Sequence, residues 1–125
     1  INSLSGSMRN KKFKLDTNQD EFKLVYYFTE EDYTLVELEE LKNQIKAGLE
    51  GLNYTQIELS VDIYNPSNNF VILHGFKSRL GSKGMAELLI ENDVTSKQLN
   101  YFSITNQNYA VLQMHKTLDD YLKIQ

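Results

Sequence analysis

His74 and His115 are the only histidines in a chain of 125 residues that has no cysteine. A protein-bound metal needs about four converging donors of the imidazole, thiolate or carboxylate kind. Neither histidine has an acid or a second histidine at ligand spacing, so each reads as finishing a sheet face or a helix surface. The lack of thiols removes disulfides, zinc fingers and thiol nucleophiles together. No serine, histidine and acid fall into a nucleophile arrangement, and no lysine stands where burial and neighbours would activate it. No catalytic residue, metal or cofactor is therefore assigned, and the chain is not expected to be an enzyme.

Three other stretches carry residues that do chemistry elsewhere. GFKSRLGSKG (Gly75 to Gly84) joins a strand pattern to a helix pattern, the context in which glycines cradle phosphate, but it has neither GxxxxGK[ST] nor GxGxxG spacing. TEED and ELEEL gather acids without the order of a calcium loop, and the positive end of a helix dipole is reason enough for acids there. MRNKKFK (Met8 to Lys14) is the one basic run, and it stands beside a polar end. With 17 acids against 13 bases, the net charge of -4 leaves no clustered cationic footprint for nucleic acid.

Tyrosine is the remaining chemistry, with 8 residues in the chain. Tyr26 and Tyr27 in one strand pattern and Tyr64 in another could present rings for stacking on RNA or a sugar, or could simply fill a core under flanking helices. Together with Tyr109 and Tyr121 they form the candidate interaction surface.

These side chains must be placed by a small set of elements. FKLVYYF (Phe22 to Phe28) is apolar at nearly every position, as a strand buried on both faces should be. From Leu35 to Leu52 the apolar residues recur at three or four, and Thr34 with Glu37 makes a capping box ahead of them. QIELSVDIY (Gln56 to Tyr64) alternates, which implies one wet face carrying Glu58, Ser60, Asp62 and Tyr64. NPSNN turns the chain into a second doubly apolar strand, Phe70 to Phe76. A helix is expected from Gly84 to Asn92, with Ser78 or Ser82 as caps and with Gly81 and Gly84 weakening its start. YFSIT (Tyr101 to Thr105) is the last strand, and Thr105 and Thr117 are placed to cap two short helices between Asn108 and Ile124.

The order β-α-β-β-α-β followed by helix is that of the ferredoxin-like split βαβ unit, an α+β fold with a C-terminal helical extension. In that topology the first and third strands lie inside, and the first and third are the richest apolar runs here. One domain is expected over residues 13–125, after a flexible segment, 1–12, that is either native or vector-derived. No stretch approaches the ~18 apolar residues of a membrane-spanning helix and no signal-peptide pattern opens the chain, so the domain as given is expected to be soluble.

FKLVYYF, LVELEELKNQI, IELSVDIYNPSNNFVILHGFKS and above all YFSITNQNYAVLQMHKTLDDYL resemble the C-terminal domain of the tetratricopeptide-repeat lipoproteins of Bacteroidetes associated with gliding motility and type IX secretion. The resemblance spans roughly Phe22 to Leu122 and is most specific in the closing strand, Asn108 and Tyr109, Lys116, and Leu118 to Leu122. It implies a non-catalytic accessory domain that contacts a protein partner in the periplasm or at the outer membrane, tied to the membrane only through the parent lipoprotein's anchor. A peptidoglycan-binding module like the sporulation-related repeat, which shares the βαββαβ topology, is the alternative.

Overall fold

A computed structural model of the chain describes Phe13 and residues 20–124. The segment 1–12 and most of the basic run at Met8 to Lys14 lie outside the described residues. Eight elements follow one another: β1 (Phe22–Thr29), α1 (Leu35–Gly51), β2 (Glu58–Asn65), β3 (Asn68–Phe76), α2 (Arg79–Glu91), β4 (Tyr101–Thr105), α3 (Asn106–His115) and α4 (Leu118–Ile124). The strands form one sheet in the order β2-β3-β1-β4, every neighbouring pair antiparallel. This is the ferredoxin-like α+β arrangement, with the two doubly apolar strands at its centre.

The strict two-residue period of a strand divides each inner strand between two cores. Leu24, Tyr26 and Phe28 of β1 and Val71 and Leu73 of β3 face α1 and α2, meeting Leu38, Ile45 and Leu49 from one helix and Met85, Ala86 and Leu89 from the other. Val25, Phe70, Ile72, Phe102 and Ile104 face the opposite way and are covered by Leu112 of α3 and by Leu118 and Tyr121 of α4. The closing helices thus turn a two-layer domain into three layers. Tyr109 and Leu122 join them there, as the apolar spacing of the tail predicts.

Local signals explain most boundaries. Thr34 accepts from the Glu37 N–H (3.2 Å) while Glu37 accepts from the Thr34 N–H (2.9 Å), which closes the capping box of α1. Thr105 accepts from the Asn108 N–H (3.0 Å) and starts α3 directly at the end of β4. Gly75, at φ 102°, is the extra residue of a bulge where Phe22 opposes Phe76 and Lys23 opposes His74.

Helix α2 begins at Arg79, ahead of the expected stretch from Gly84, and of the two expected caps Ser78 is the one used. Ser78 Oγ accepts from the Gly81 N–H (2.9 Å), so the first glycine sits in a capped turn rather than a free one. Tertiary contacts then hold that turn. Arg79 Nη1 donates to the Ser103 carbonyl (2.7 Å) and Nη2 to the Tyr121 hydroxyl (2.9 Å), and the buried Ser82 and Ser103 hydroxyls share a hydrogen bond. These partners come from β4 and α4 and outweigh a cost of about 1 kcal/mol for each glycine.

Gly48 lies inside α1 because of what faces it. A Cβ at that position would stand 2.5 Å from Val94 Cγ1 and 2.7 Å from Cγ2. Valine is stiff at χ1 and cannot swing aside. Gly48→Ala is expected to lower stability by about 1 kcal/mol in chemical denaturation, because overpacking of ~1–3 kcal/mol exceeds the gain of up to ~1 kcal/mol in helix propensity. Adding Val94→Ala should recover that loss.

Candidate functional site

The five tyrosines of the expected interaction surface divide between the layers. Tyr26 is 1% exposed and lies under α1 and α2, and burial pushes its hydroxyl far above the ordinary phenol range. Tyr121, 2% exposed, sits in the opposite core, where its hydroxyl donates to the Ser103 carbonyl (2.6 Å). Tyr64, 5% exposed, accepts from the Leu118 N–H (2.9 Å) and so caps α4. This corrects the expected Thr117 cap, since Thr117 Oγ1 is buried without a hydrogen-bond partner. Burial removes Tyr26, Tyr64 and Tyr121 from the surface; Tyr27 and Tyr109 remain half-buried.

The face of β2 expected to be wet is covered at Asp62 and Tyr64 by α3 and α4, while Glu58 stays exposed. Tyr109 donates to Asp62 Oδ2 (2.6 Å) and accepts from Gln113 Nε2 (2.9 Å). Burial and the adjoining carboxylate push the Tyr109 hydroxyl well up. Beside this pair, Lys23 Nζ lies 5.6 Å from the Tyr109 ring centre and 3.1 Å from His74 Nδ1, and His74 Nε2 lies 2.8 Å from Ser60 Oγ.

An ammonium has only donors, so His74 Nδ1 must accept and the ring proton must sit on Nε2, donating to Ser60. A serine nucleophile needs the reverse, an imidazole that takes its proton. In this arrangement Ser60 keeps its proton. The chain of contacts ties β1, β2 and β3 together at the end of the sheet beyond α3.

Burial and the Lys23 ammonium hold His74 below the ordinary imidazole value, and the more weakly acting Asp62 and Glu58 oppose them. The unfolded chain therefore takes up this proton at a higher pH than the folded one. The stabilising contribution is complete above about 6.5, the unfolded value, and is lost as pH falls through the folded value. Urea denaturation at pH 7.5 and 5.5 should show a fall in stability that is smaller in His74→Gln.

A concavity lined by side chains from separate elements lies at the other end of the sheet. It is a cleft of about 540 Å³ walled by the β1–α1 loop (Asp32, Tyr33), the β2–β3 turn (Asn65, Asn68), the loop before β4 (Gln98, Asn100), and Lys116 with Asp119 where α3 passes into α4, with the half-buried ring of Tyr27 also lining it. Lys116 adopts φ 54°, and its ammonium donates to Gln113 Oε1 (2.7 Å) and stands 4.9 Å from the Tyr64 ring centre. Among the described residues no group of His, Cys, Asp and Glu is placed to hold a metal. No helix there is long and apolar enough to cross a membrane.

Of the expected surface residues only Tyr27 and Tyr64 line this cleft, and Tyr64 does so with little exposed area. Gln98 and Asn100 carry no sequence signal of their own, and Lys116 is marked only by the resemblance. The available signal was the polar run VTSKQLN between α2 and β4, because polar loops carried on a rigid scaffold are where binding groups collect. Compared with known proteins, the chain matches no family model, no curated protein and no solved structure.

Proposed function

We propose that this domain is a non-catalytic protein-contact module, an accessory part of a cell-envelope lipoprotein of the secretion and gliding-motility kind that the sequence resembles. It works in the periplasm or at the outer membrane, and it meets its partner at the loop end of the sheet. The observation that supports this reading is the cleft itself, built by four loops on a rigid sheet and lined mainly by neutral hydrogen-bonding side chains. A peptidoglycan site would need an open aromatic face. Of the three rings suggested for it, Tyr26 is buried, Tyr64 is overlaid by Lys116, and Tyr27 is half-buried against Phe102.

The test is affinity capture from a Bacteroidetes envelope extract by the parent protein with and without this domain. Loss of a specific protein partner on removal of the domain is expected. An unchanged set of partners would contradict the reading.

A further inference from the structure

The side chains of the cleft narrow the kind of partner segment it fits. Gln98 and Asn100 stand on either side of Leu99, whose side chain is anchored against the core of α1 and α2. Both are exposed, and among the described residues neither carboxamide has a hydrogen-bond partner, although each lines the cleft. A carboxamide offers an acceptor and two donors, the complement of a peptide group's N–H and C=O. Across the cleft, Asn68 spends its amide nitrogen on Asn65 Oδ1 (3.1 Å), which leaves its own oxygen for an incoming donor.

Charge points the same way. The charged groups among the described lining residues are Asp32, Asp119 and Lys116, and the lysine is already held by Gln113 and the Tyr64 ring. A site with so little net charge gives no Coulombic preference for a strongly acidic or basic ligand. Nor does it offer a platform for sugars. Tyr64 is packed on Phe70 at 5.1 Å as well as capped by Lys116, the Tyr27 ring leans on Phe102 at 5.6 Å and the Tyr33 ring on Phe28 at 4.7 Å, so the open aromatic surface is what is left of the half-buried Tyr27 and Tyr33. That opening accommodates a single apolar or aromatic side chain.

We propose that the cleft binds an extended, uncharged segment of a partner protein, through hydrogen bonds from Gln98, Asn100 and Asn68 to its main chain and one anchoring side chain against Tyr27. The proposal rests on the protein-contact reading above and names the ligand class of the same site. Lys116, in a left-handed conformation that a lysine adopts at a cost, fixes the wall opposite the carboxamides.

The test is a titration of the isotope-labelled domain, followed by amide chemical shifts, with a blocked octapeptide of asparagine, serine and glycine around one central tyrosine. Parallel titrations use the same peptide with flanking lysines, with flanking aspartates, and chitotriose. Saturable shifts at Tyr27, Gln98, Asn100 and Lys116 are expected with the neutral peptide, weakened about tenfold in Gln98→Ala/Asn100→Ala. Both substituted side chains are exposed, and an unchanged melting temperature would confirm that the variant is folded. Absence of saturable shifts, shifts unaffected by the double variant, tighter binding of either charged peptide, or a response to chitotriose alone would each overturn the proposal. Capture of a protein partner by another surface, with the neutral peptide silent, would remove this inference and leave the contact module standing.

Discussion

A chain ending at Thr105 is expected to lose cooperative thermal unfolding. Removing Asn106 to Gln125 strips Leu112, Leu118 and Tyr121 from the sheet together with the partly buried Tyr109 and Leu122, and uncovers Val25, Phe70, Ile72, Phe102 and Ile104. Burial of a leucine or aromatic side chain contributes roughly 1.5–3 kcal/mol. Five such losses rival the ~5–15 kcal/mol that holds a domain of this size together. The hydrogen bonds from Tyr121 to Ser103 and from Arg79 to Tyr121 disappear as well, so the start of α2 loosens along with the sheet face. Circular dichroism melting measures the effect directly. A cooperative transition within a few degrees of the parent would show that the tail does not close the fold.

Phe70→Ala is the single substitution expected to do the most damage on that face. Its ring is fully buried and meets Tyr64 at 5.1 Å, Tyr109 at 6.2 Å and Phe102 at 6.3 Å, which links β2, α3 and β4 through one side chain of β3. Phenylalanine to alanine in a packed core costs about 3–5 kcal/mol through lost transfer energy and the cavity left behind. Two of the three neighbours cannot fill that cavity freely. Tyr64 is tied to the Leu118 N–H and Tyr109 to Asp62. Denaturant unfolding should therefore give a loss in the upper part of the range, whereas a loss under about 1 kcal/mol would mean that the aromatic cluster repacks.

The architecture was legible because its determinants are local. Apolar residues on both faces of Phe22 to Phe28 and Phe70 to Phe76 mark central strands, and the sheet order places both at the centre. Thr34, with Glu37 completing its capping box, and Thr105 cap the helices they precede because a cap needs only its own first turn. What sequence did not reveal depends on partners far along the chain. The turn at Arg79 to Gly81 looks weak until Ser103 and Tyr121 arrive from β4 and α4 to hold it. The polar stripe of β2 looks wet until Tyr109 closes on Asp62. Thr117 looks like a cap until the Tyr64 hydroxyl takes the Leu118 N–H. The cleft is the extreme case. Its walls at Asn68, Gln98 and Lys116 come from three loops, none with a motif of its own, and only the sheet brings them together.

The C-terminal helices then have two roles, as a lid on the second core and as one wall of the cleft. Site-specific photocrosslinking tests that claim most directly. A photoreactive residue is placed at Gln98 in the protein in its native cells, and for comparison at Asn43, an exposed position of α1 that lines a different groove, at the β2 edge. A discrete protein adduct from Gln98, weakened by Asn100→Ala and absent from Asn43, is the expected result. An adduct from Asn43 with none from Gln98, or no protein adduct from either position, would contradict the cleft as the place where this domain meets its partner.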